Sequence, residues 1–194
     1  MSFYTGTQAE VLFSNPVAYP AEGASSTSAV LLPTGASSAY QQPLFPGGFW
    51  QQGRANQVVT GLMSGIISGQ GSATTATLTL ALNTSNNTAS SNASLGAFPA
   101  LTITSFSSGP FWCHFAIQAR VVGYGTSSVS TQLVTSGAFW ATGNSTSVFS
   151  LLAPTTLSTI DFSVNQWFSP TVTMSTNSAS NTMTLQQLVI WGEN

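Results

Sequence analysis

Cys113-His114-Phe115-Ala116-Ile117-Gln118-Ala119-Arg120-Val121 decides the fold class. Every odd-numbered member is apolar, and His114, Gln118 and Arg120 stand between them with Ala116. Successive side chains on a β-strand point to opposite faces. The stretch therefore predicts a strand with Cys113, Phe115, Ile117, Ala119 and Val121 toward a core and the others outward. An amphipathic helix would repeat its apolar positions near every 3.6 residues, and this stretch repeats every two.

The same period recurs on both sides. Leu78, Leu80 and Leu82 alternate with Thr77, Thr79 and Ala81, and Ile160, Phe162 and Val164 alternate with Asp161 and Ser163. These apolar sets, with Phe115 and Ile117, are the expected core. Further strand-like runs are 57–68, 101–106, 129–134, 148–152, 171–174 and 183–191. Turn chemistry separates them at Ser68–Ser72, Asn83–Asn92, Ser107–Pro110, Gly123–Ser128, Gly143-Asn144 and Thr176–Asn181. No window has a helical period with caps. Eight or nine strands joined by polar turns indicate a sandwich or a barrel, most simply a jelly-roll-like β-sandwich over residues 46–194. The block Asn83–Ser94 is rich in Asn, Ser and Thr and is expected to be an exposed loop.

Residues 1–45 differ in character. Pro16, Pro20, Pro33 and Pro43 punctuate them, and proline at this density breaks helices and central strands alike. They read as an extended N-terminal arm. Its apolar clusters, Val11-Leu12-Phe13 and Val30-Leu31-Leu32, would dock on a neighbour through Phe13 and Leu31.

Charge limits the function. Among 194 residues there are two cationic side chains, four acidic ones and one His, so 3% of the chain is charged. Ordinary soluble domains carry about 25%. Arg54 and Arg120 alone cannot form the basic track that nucleic acid or an anionic membrane requires. There is no apolar run of the ~20 residues that spans a bilayer. The opening MSFYTGTQAEVLF has neither the positive start nor the unbroken apolar stretch of a secretory signal, which leads to an expectation of synthesis in a cytoplasm. The chain has no lysine with which to blunt strand edges, so its edges must be closed by sandwich geometry or covered by other subunits.

The chain has few side chains suited to catalysis. Cys113 and His114 are adjacent on one strand and so point apart, which leaves Cys113 a small buried hydrophobe and His114 an outer-face residue. Glu10, Glu22, Asp161 and Glu193 are scattered rather than paired. No nucleophile elbow, phosphate loop or metal-ligand cluster is present. The expectation is a protein that is no enzyme, without cofactor or metal. Asp161, Glu193 and the terminal carboxylate are the candidate partners for the arginines, because an unpaired buried charge is costly. Adjacent aromatic pairs, Phe49-Trp50, Phe111-Trp112, Phe139-Trp140 and Trp167-Phe168, place one ring inward and one outward on a strand. Outward Trp50, Trp112, Trp140 and Trp167 point to contact between subunits, with stacking on sugar rings as the alternative.

Four segments carry a family resemblance: Pro46-Gly47-Gly48-Phe49-Trp50-Gln51-Gln52-Gly53-Arg54, the strand-turn-strand of Val58–Ile67 and Thr75–Leu82, Gly109-Pro110-Phe111-Trp112 running through to Gly123, and Trp167 with Ser178-Ala179-Ser180-Asn181-Thr182 through Ile190. In these, residues 46–194 resemble a group of small virion proteins from tailed phages, particularly phages of actinobacteria. The resemblance implies a jelly-roll-like structural protein, typically a homotrimer, with no catalytic residues. It implies a place on the virion, most directly as a capsid decoration protein on the outer capsid surface with the major capsid protein as partner. A tail-fibre or receptor-binding tip for host-surface glycan is the alternative.

Overall fold

The computed structural model describes residues 9–15, 18–19, 22–23, 29–32, 42–50, 57–69, 74–84, 93–104, 106–121, 131–144, 146–153 and 157–193. They form an all-β sandwich of two antiparallel sheets. In the first sheet the order is β1 (Ala9–Asn15), β15 (Thr182–Glu193), β5 (Val58–Gly69), β9 (Phe106–Val121), β10 (Thr131–Gly143) and β11 (Thr146–Leu152). Here β2 (Glu22–Gly23) also pairs with β15, and β12 (Leu157–Ile160) with β10. The second sheet runs β3 (Ala29–Val30), β14 (Thr171–Met174), β6 (Thr75–Asn83), β13 (Gln166–Phe168) and β4 (Leu44–Phe45). In it β7 (Ala93–Ala97) and β8 (Leu101–Thr102) add to β6.

Period-two patterning fills the space between the sheets. Phe111, Cys113, Phe115, Ile117 and Ala119 of β9 are fully buried, as are Leu78, Leu80 and Leu82 of β6. Across the sandwich the ring of Phe115 stacks on Phe168 at 5.1 Å. Gly61, opposite Phe115 on β5, makes room for that ring, since a Cβ there would overlap it. Burial of such side chains, worth roughly 25 cal/mol per Å² of apolar surface, is the main favourable term.

Four expectations are corrected. The first 45 residues are no separate arm where they are described. β1 and β2 pair with β15, β3 with β14 and β4 with β13, while Tyr19, Leu31, Leu32 and Phe45 are in the common core. Of their prolines, Pro43 is among the described residues, and it stands just before β4, outside the ladder. Tyr19 is held by its backbone N–H donating to Leu185 O and by Asn15 Nδ2 donating to its hydroxyl at 2.6 Å.

The expected turn at Ser107–Pro110 is strand, part of β9. Pro110 is exposed, and the pairing of β9 with β10 ends beside it at Phe111, so its missing N–H interrupts little. The expected strand 101–106 is split. β8 stops at Thr102 in the second sheet, and the chain crosses to the first sheet past buried Ile103, whose N–H donates to Thr74 O. Val164, expected in the core, is 46% exposed. β12 ends at Ile160, and Ser163 N–H donates to Asp161 Oδ1 at 2.8 Å, so a turn ends the alternation there. The turn expected at 143–144 begins at Asn144, at φ 47°, directly after β10 ends on Gly143, and the turn expected at 176–181 is one, with Asn181 Nδ2 donating to Thr176 O; of the turn expected at 68–72, Ser68 and Gly69 belong to β5 and 70–72 lie outside the described residues. Residues 85–92 of the expected loop, and the expected turn at 123–128, lie outside the described residues.

Candidate functional site: an uncharged aromatic strip on the first sheet

The outer face of the first sheet follows from the same alternation. Cys113 and Phe115 face in, so Trp112 and His114 face out; Phe139 and Ala141 face in, so Trp140 faces out. On β11, Ser150 is buried and Val148 and Leu152 pack on the core, which turns Phe149 and Leu151 outward. Register then aligns them. Ser64, Trp112, Trp140 and Phe149 form one row across β5, β9, β10 and β11. Val189, Leu62, His114, Ala138 and Leu151 form the next, starting on β15.

Adjacent strands lie about 4.8 Å apart, so the three aromatic rings cross roughly 10 Å of sheet. Trp112 and Trp140 stack at 6.0 Å with 21° between their planes. Both are half-buried, whereas Phe149 is 61% and Leu151 59% exposed. The two rows contain no carboxylate, ammonium or guanidinium; His114 is their one titratable group, and Arg120 lies three outward positions further along β9. Such a face can bury apolar area and stack on flat partners. It has no acid–base pair with which to do covalent chemistry.

The six residues expected at interfaces separate. Trp112 and Trp140 meet in this strip. Trp167 faces outward from the second sheet, because its neighbour Phe168 faces in toward Phe115. Phe13 on β1 is half-buried and packs on the core. Trp50 and Leu31 are inside the chain's own core and present nothing to another subunit. The reason for Trp50 is local. Pro46-Gly47-Gly48-Phe49-Trp50 is a turn rather than a strand, with Gly48 at φ 83°, so its rings do not alternate. Gly48 N–H donates to Phe162 O at 2.7 Å and Gly47 N–H to Asn165 Oδ1 at 2.9 Å. Trp50 then packs edge-on against Phe162 at 4.7 Å. Phe149 and Leu151, the exposed large hydrophobics of the strip, are not singled out by the sequence, because the run Val148–Leu152 is apolar on both faces and periodicity does not say which side is out.

The adjacent Cys113 and His114 do point apart. Burial pushes the Cys113 thiol well above its ordinary range, so it stays protonated, while His114 is exposed on the strip. Asp161, a candidate partner for arginine, instead accepts from Ser163, which lowers its carboxyl below the usual value. Arg54 lies outside the described residues, as do the side chains of Glu10, Glu22 and Glu193. Among the described residues no three His, Cys, Asp or Glu side chains group as a metal site, and no helix is long and apolar enough to cross a membrane.

No protein-family profile matches the chain, and no curated protein matches it. Among solved structures, the legume lectin-like domain from Entamoeba histolytica is similar at a TM-score of 0.28 and 10% sequence identity, the overlap covering 89% of each chain.

Proposed function

We propose that this protein is a structural component of a tailed-phage virion, a capsid decoration protein held on the outer shell by the outer face of its first sheet. The observation that carries the reading is the uncharged strip of Trp112, Trp140, Phe149 and Leu151 facing outward from a rigid four-strand platform. Large apolar patches on soluble proteins mark contact sites. Support comes also from the resemblance of residues 46–194 to small virion proteins. Two of its segments are the anchored turn at 46–50 and the strand that carries Trp112. The partners are the major capsid protein and further copies of the chain. The mechanism is mechanical: apolar area buried at about 25 cal/mol per Å² where the protein meets the capsid holds capsid subunits together.

The test is co-sedimentation with capsids stripped of this protein. Trp112→Ser is expected to weaken binding at least tenfold, with the far-UV circular dichroism unchanged, since truncating a central aromatic anchor costs on the order of 2 kcal/mol. Capsid binding equal to that of the parent protein would overturn the reading.

A second reading, a receptor-binding tip for host-surface glycan, is favoured by the stacked Trp112–Trp140 pair, which offers a flat aromatic platform. The aliphatic members of the strip, Leu62, Leu151 and Val189, speak for a protein partner instead, because sugar sites surround their aromatic rings with convergent polar groups. Sedimentation with host cell walls but not with capsids would replace the first reading by the second.

A further inference from the structure

We propose that two copies of this chain pair edge to edge along β11, antiparallel, about a twofold axis normal to the first sheet. β11 ends the order of that sheet, and among the described residues no strand lies beyond it. Exposed strand edges invite pairing, and natural edges are blunted by charge, proline or a bulge. The opposite edge is blunted in this way: β1 includes Glu10, and its register shifts between Val11 and Phe13. β11 has none of these devices. Its sequence, Thr146-Ser-Val-Phe-Ser-Leu-Leu152, lacks charge and proline, and all seven residues pair with β10 without a shift. It is also held firmly from the inside. Ser150 Oγ donates to Pro99 O at 2.8 Å, and Leu152 packs on the core. A rigid, uncharged, unblunted edge is a template for another strand.

The strand fits its own copy. Directly opposite residues of an antiparallel pair share a face. A twofold axis normal to the sheet keeps the outer faces on one side, so it must pass through a residue rather than between two. An axis at Phe149 is the one that pairs all seven residues: Thr146 with the second copy's Leu152, Ser147 with its Leu151, Val148 with its Ser150. Phe149 then meets the second copy's Phe149. The row Trp112, Trp140, Phe149 runs on through its mirror sequence in the other copy, across six strands. Neither copy brings charge to the contact, so no repulsion opposes it, and no charge pattern on the edge selects a foreign strand. Because β1 is blunted, β1-to-β11 contacts do not propagate, and the assembly closes as a pair. This association is independent of what the strip meets on a capsid. A Trp112→Ser chain that binds capsids as the parent does counts against the decoration reading alone, and a chain that binds capsids but never pairs counts against the pairing alone.

The experiment is sedimentation velocity of the full chain over a wide concentration range, expected to give a dimer. Phe149→Lys is expected to give a monomer with an unchanged circular dichroism spectrum, because the side chain is 61% exposed and its loss leaves the core intact. Phe149→Cys is expected to oxidise to a covalent dimer, since opposite residues lie about 4.5–5.5 Å apart, within disulfide reach. Val11→Cys, at a side chain 63% exposed on the other edge, is the control and is expected not to cross-link; Cys113 is buried and does not compete. A monomer at every concentration overturns the proposal. So does an oligomer, trimeric or other, that survives Phe149→Lys, or a Val11→Cys chain that cross-links as readily as Phe149→Cys.

Discussion

Cys113 and His114 are adjacent residues with opposite surroundings. They are neighbours in a chain with one cysteine and one histidine, yet the pleat sends one into a dry core and the other to solvent. The buried thiol has a measurable consequence. Its pKa is raised by desolvation from an ordinary 9.0. Below about pH 9 the folded and unfolded chains both hold the proton, and the thiol gives stability no pH dependence. Above it the unfolded chain ionises first, so stability is expected to fall with rising pH, by ~1.4 kcal/mol per pH unit for one such group. Tyr19, raised by burial from 10.0 and partly lowered by the hydrogen bond from Asn15, adds to the fall at higher pH. Urea unfolding from pH 8 to 11 checks this: the slope of Cys113→Ala against pH should be shallower than the parent's by one group. Equal slopes would show that the thiol is accessible to solvent.

At the scale of elements, alternation located the long strands and misplaced the ends of others. Leu80 and Val164 both follow a period-two pattern. Leu80 pairs with Gly96 in the middle of β6, a strand bordered by β7 on one side and β14 on the other, whereas Val164 comes after a turn closed by Asp161 and Ser163. Leu80→Ala is therefore expected to cost roughly 2–5 kcal/mol in denaturant unfolding, through lost burial and the cavity left behind. Val164→Ala is expected to stay within ~0.5 kcal/mol. Similar losses at the two sites would mean that the strand continues past Ile160. The aromatic pairs behave likewise. Phe111-Trp112, Phe139-Trp140 and Trp167-Phe168 divide between inside and outside because each is on a strand, and Phe49-Trp50 does not because it is in a turn.

For the whole molecule, the first 45 residues are the decisive case. Their strands complete both sheets, and Tyr19, Leu31, Leu32 and Phe45 are core residues. Deleting residues 1–45 is therefore expected to abolish the cooperative thermal transition, because it opens the core and bares the edge of β15, rather than to leave a folded domain with weaker attachment. A truncated protein that melts as sharply as the full chain, within a few degrees, would show that the segment is an appendage after all.

Residue order alone determined that the chain is all-β, which faces of its long strands are apolar, that Cys113 is buried and that the surface is nearly without charge. These are local properties: the pleat imposes a period of two wherever a strand forms, and composition needs no fold to be read. Only the tertiary structure decided that the proline-rich start belongs to the sandwich, that Trp50 plugs the core, and that Trp112, Trp140 and Phe149 stand in one row. Those facts depend on register between strands far apart in the chain, and pairing partners are selected by the burial of many side chains at once rather than by any short stretch.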